Sequence, residues 1–84
     1  MPKISSAANT LAPAWLAIRQ KGYDVSMLSS GDNELCIAKK GELKFVAEDT
    51  VLLLGLIAMY ETRGKNWKAT DAEIDEFMEW DGSR

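Results

Sequence analysis

Eighty-four residues, of which 46% are apolar and 27% charged, give one small domain with a core of its own and too mixed a charge pattern for disorder. A net charge of −3 argues against a general nucleic-acid binder, which would show a basic face, and a single cysteine excludes an intrachain disulfide framework. With no histidine, no cysteine cluster and no glycine-rich phosphate loop, the usual catalytic and cofactor constellations are missing from the chain.

Residues 1–8 are rich in Ser and Ala and lack periodicity, which reads as a flexible N-terminal arm ahead of a single domain over 9–84. A first helix is expected over about residues 10–21. Asn9 or Thr10 can cap it, Pro13 falls in its first turn, and Gly22 suits the left-handed position after its end. Leu11, Trp15, Leu16 and Ile18 lie at helical spacing along it.

Tyr23 to Ser29 alternates with period two, so a strand is expected there, followed by the turn Ser30-Gly31-Asp32-Asn33. Leu35 to Ala38 gives a second short strand, Lys39-Lys40-Gly41-Glu42 a second turn, and Leu43 to Ala47 a third strand. Turns this short imply an antiparallel meander.

Glu48, Asp49 and Thr50 place acids at the start of an apolar helix over Val51 to Arg63, which Gly64 stops. That helix is apolar on nearly every side, which predicts a central, buried element. A loop carrying Trp67 leads to Thr70-Asp71-Ala72-Glu73, a capping box that starts a third helix running to about Trp80. Ile74, Phe77 and Met78 form its apolar stripe. The order α-β-β-β-α-α predicts an α+β domain in two layers. The second helix covers one sheet face and the first and third flank it.

Each candidate site competes with a plainer explanation. Cys36 lacks a neighbouring base and reads foremost as a structural thiol. The third helix carries Asp71, Glu73, Asp75, Glu76, Glu79 and Asp81, a face that could meet a basic partner or simply be solvated. It is no calcium loop, because an EF-hand starting at Asp71 would need Gly and Glu where Glu76 and Gly82 stand. Asp49 beside Glu48 and Glu42 is better explained by helix capping than by acid–base chemistry.

Lys39, Lys40 and Lys44 make one small basic patch. Lys65 and Lys68 make another around Trp67, a residue that suits loop packing better than base stacking. On the sheet, Tyr23, Val25, Met27, Leu35, Ile37, Leu43 and Phe45 are expected to face the second helix. Ser26, Leu28, Cys36, Ala38, Lys44 and Val46 would then line the opposite face, a half-apolar surface open to a partner or to a covering helix.

The stretches Trp15 to Val25 (WLAIRQKGYDV), Phe45 to Asp49 (FVAED), Leu54 to Gly64 (LGLIAMYETRG) and Trp67 to Asp71 (WKATD) resemble the layout of small uncharacterised bacterial single-domain proteins. The resemblance covers most of residues 13–80. It implies a bacterial source and, having no catalytic motif, transfers no site residue.

The longest apolar run, Val51 to Tyr60, is half of what a membrane span needs, and no signal peptide is visible, so a soluble cytoplasmic protein without membrane contact is expected. The functional expectation is a non-catalytic protein–protein interaction or regulatory module that uses no cofactor and no metal. Its partner would be another protein or a second copy, through Glu76, Glu79, Asp75, Cys36, Val46 and Trp67. A small-molecule-binding domain, a carboxylate- or lysine-based enzyme and a homodimeric structural module are the alternatives.

Overall fold

The computed structural model describes residues 3–5 and 9–82, with only the backbone of Ser30. It is an α+β fold in the expected order: α1 (Leu11–Gln20), β1 (Asp24–Ser30), β2 (Asn33–Lys40), β3 (Leu43–Ala47), α2 (Thr50–Arg63), a 3-10 turn (Gly64–Asn66) and α3 (Asp71–Asp81). Of the expected flexible arm, residues 1, 2 and 6–8 lie outside the described ones, while Lys3, Ile4 and Ser5 are exposed.

The three strands form an antiparallel meander with β2 in the middle. Both hairpin loops have two residues, with Gly31 and Gly41 at positive φ in the first central position. That is the II′ pattern, whose twist matches the strands it joins. The loops fix the register. Val25, Ala38 and Phe45 stand side by side across the sheet, as do Met27, Cys36 and Ala47.

This register corrects one expectation. Residues opposite one another on neighbouring strands share a face. Val25, Cys36, Ala38, Phe45 and Ala47 belong with Ile18, Tyr23, Leu53 and Ile57 in the core. Cys36 and Ala38 therefore point inward, and Leu35 and Ile37 point outward, the reverse of the sequence expectation. The physical reason is volume. The helices fill the space above the sheet with Ile18, Leu53 and Ile57, all without exposed surface, and the strands below supply small residues.

Helices α1 and α2 share the inner face of the sheet. Thr50 donates its hydroxyl to the Leu11 carbonyl at 2.7 Å, and Lys21 pairs with Glu61 at 2.8 Å, tying the two helices at both ends. Asp49 caps α2 as expected, accepting the Leu52 amide at 2.8 Å. Helix α2 is less enclosed than its composition predicts: Leu53 and Ile57 are buried, but Val51 and Leu52 are exposed.

The third helix departs further from expectation. Its capping box is complete, with Thr70 accepting the Glu73 amide at 3.2 Å and Glu73 accepting the Thr70 amide at 2.8 Å. Yet none of its residues is buried. It does not flank the sheet; it stands beside the end of α2.

Candidate functional site

Besides the exposed apolar residues of α1 and β1, such as Leu11, Leu16 and Met27, three larger apolar surfaces stand open on the described residues. The first is α3 itself. At helical spacing, Ile74, Phe77, Met78 and Trp80 fall on one arc, with Glu73 and Asp81 among them at its two ends, and Asp71, Asp75, Glu76 and Glu79 fall on the other. Phe77 is 56% exposed and Trp80 80%, their ring centroids 5.7 Å apart. Burying such rings is what makes aromatic residues valuable in cores and interfaces, so leaving two adjacent ones in water is informative.

What holds α3 in place is a clamp from the end of α2. The Arg63 guanidinium donates to the Trp67 carbonyl at 2.9 Å, to the Lys68 carbonyl at 3.5 Å and to Glu73 Oε1 at 2.9 Å. One planar fork thus ties the connecting loop and the first turn of α3 together, a task a lysine could not match. The Thr70 amide, and after it the Arg63 guanidinium, hold the Glu73 carboxyl below the usual carboxylate range. A general acid needs the opposite shift, so Glu73 is a structural carboxylate.

The second surface is the outer face of the sheet. Leu28 lies opposite Leu35; Ser26, Ile37 and Val46 form the next row; Asp24, Lys39 and Lys44 form the last. Leu28 and Val46 are exposed and Leu35 and Ile37 half-buried, so four large apolar side chains run in a contiguous patch ending at two lysines. The expected basic patch is thereby split. Lys40 turns to the other side, donating to the Lys21 carbonyl at 2.8 Å with its ammonium 5.4 Å from the centre of the Tyr23 ring.

The third surface is a groove of about 480 Å³ between the free edge of β3 and α2. Phe45, Val46, Leu56, Met59, Tyr60 and Trp67 line it. Half-buried Phe45 is edge-on to Tyr23 at 5.9 Å and to Tyr60 at 5.8 Å.

The residues singled out in sequence therefore separate. Cys36 is buried, and its Sγ lies 3.5 Å from the Met27 sulfur; burial first, and then Asp49 and Glu34, push its thiol pKa up. A thiol held protonated is a poor nucleophile, and this one is not on the surface where Val46 lies. Val46 stands on the outer face, and Trp67, 43% exposed, lines the groove. Asp75, Glu76 and Glu79 share the polar side of α3. Phe77, assigned to the apolar stripe of the third helix, and Trp80, read only as its end, are exposed residues that the sequence did not single out, whereas Leu28 stands on the outer face where it was expected. No local signal marks the two aromatic residues, because their spacing along α3 is the same whether or not a surface lies over them.

Burial also raises the Tyr23 phenol, with Glu61 adding to the effect, so this ring stays a neutral core member. Among the described residues no three acidic or cysteine side chains converge as a bound metal would require, and no helix is long and apolar enough to cross a membrane. No protein-family model, curated protein or solved structure matches the chain.

Proposed function

We propose that this chain is a non-catalytic protein–protein interaction module and that α3 is its binding element. The observation that carries the reading is a capped, clamped helix that buries none of its residues while presenting Ile74, Phe77 and Trp80 to solvent. An amphipathic helix gains little from its own propensity at this length; such helices are stabilised by laying the apolar face on something. The acids along its other side define the partner's chemistry. It would be an apolar groove or face with lysine or arginine at its rim, since steering by opposite charge speeds and orients docking. The buried thiol and the downward-shifted Glu73 support this reading over a catalytic one.

The test compares what the tagged chain retains with what a Phe77→Glu/Trp80→Glu variant retains, using Asp32→Ala in the exposed hairpin turn as a control. A protein held in near-stoichiometric amount by the wild type and the control, but not by the double variant, supports the module and its binding element. Identical retention by all three overturns the assignment to α3.

A further inference from the structure

We infer that the occupant α3 seeks is a second copy of this chain, with α3 of each protomer lying across the outer sheet face of the other. This rests on α3 being a binding element, as proposed above, and names its partner. Two open surfaces in one chain answer each other. The sheet face presents Leu28, Leu35, Ile37 and Val46 in adjacent rows and ends at Lys39 and Lys44. The helix presents Ile74, Phe77 and Trp80 beside a row of acids.

Size agrees with this pairing. Three strands spaced ~4.8 Å apart give a face about one helix diameter wide. Eleven residues of helix, ~16 Å long, match the length of five- to eight-residue strands.

Charge selects this arrangement over the other two that identical copies could form. Packing α3 against α3 would bring two acidic helices together. Packing sheet against sheet would leave Lys39 and Lys44 with no opposing charge beyond Asp24, which already shares their row. Helix on sheet turns Asp75 and Glu79 outward and sets Asp71 and Glu76, the acids that border the apolar arc, at the edge of the contact, within reach of the lysines. The chain's own α3 is not the occupant, because Arg63 ties its first turn to the end of α2 and none of its residues is buried.

A twofold axis makes the exchange reciprocal, so each dimer contains two such contacts. Aromatic side chains bury ~150–250 Å² each, and with the sheet residues beneath them two contacts approach the ~1,600 Å² of a standard interface.

Sedimentation equilibrium of the purified chain, from about 1 to 200 µM, reads the dimer directly. The expected result is a reversible dimer that Trp80→Glu and Leu28→Glu each weaken by about 30-fold or more, the scale of an interfacial hot spot. Both sites are exposed, so far-UV circular dichroism should show each variant folded. The decisive arm mixes Phe77→Glu with Leu28→Glu. The first keeps an intact sheet face and the second an intact α3, so the mixture recovers one of the two contacts and dimerises more tightly than either variant alone.

A dimer unmoved by Trp80→Glu, or a mixture no better than its components, overturns the helix-on-sheet exchange. A wild type that stays monomeric throughout the range also overturns it. In that case continued α3-dependent capture of a different protein leaves the interaction module standing, and loss of capture as well removes both.

Discussion

The body of the domain and α3 are built from similar residues and end in opposite states. In the body, Ile18, Leu53 and Ile57 have no exposed surface, and they rest on Cys36, Ala38 and Phe45. In α3, Ile74, Phe77 and Trp80 have the same apolar character and meet solvent. The difference is not helix formation, since α3 has the more complete N-terminal cap of the two late helices. It is the presence of something to pack on. Local sequence decides where a helix starts and stops; whether it is buried depends on a surface supplied by the rest of the chain, or by another chain.

The largest effect that separates the two regions is truncation. Ile57→Ala should destabilise the protein by about 2–5 kcal/mol, because it removes buried methylenes and leaves a cavity between α2 and the sheet. That is a large share of the ~5–15 kcal/mol typical of folded domains. Ile74→Ala, on the exposed arc of α3, should change the free energy of the folded monomer by about 0.5 kcal/mol or less. Urea denaturation at low protein concentration measures both. If the two substitutions cost alike, α3 is packed in the monomer and the contrast between the regions disappears.

A smaller effect tests which way β2 faces. Ala38 has no exposed surface and lies between Val25 and Phe45 under the helices. Ala38→Leu should destabilise by about 1–3 kcal/mol through overpacking. The same added bulk one residue earlier, Ile37→Phe, projects from the outer face and should cost well under that. Were Ile37→Phe the more damaging of the pair, the inner and outer faces would be exchanged.

Much of this fold was legible in the sequence. The chain order of the elements, both hairpin turns, the Asp49 cap and the Thr70–Glu73 capping box were all readable, because each rests on interactions within a few residues. The face of β2 was misread for a specific reason. Leu35 and Ile37 are larger and more apolar than Cys36 and Ala38, so residue size pointed them inward. The two-residue loop at Gly31-Asp32 already placed Met27 opposite Cys36, and partners across an antiparallel pair share a face. Loop arithmetic should have outweighed side-chain size, because the helices above had already filled the core volume. The acidic side of α3 was visible as a run of carboxylates. Its exposed aromatic side was not, since Phe77 and Trp80 look the same in sequence whether a sheet lies over them or not.

The smallest effect concerns the clamp that holds α3 against the body. The Thr70 amide and the Arg63 guanidinium depress the folded pKa of Glu73 relative to the unfolded chain. A depressed carboxyl contributes stability that is fully present above its unfolded value, near ~4.3 for Glu, and is lost as pH falls through the lower folded value. The Thr70 amide proton donates directly to this carboxylate, so its NMR shift should follow the titration, with a midpoint below ~4.3. Arg63→Ala removes one donor and should move that midpoint upward, leaving the Thr70 bond as the remaining cause. A wild-type midpoint at the ordinary glutamate value would mean that the clamp does not form in solution. The orientation of α3 would then be free, its own sheet face would come within reach, and the contrast between a packed body and an anchored, unpacked helix would become one between a packed body and a loosely tethered one.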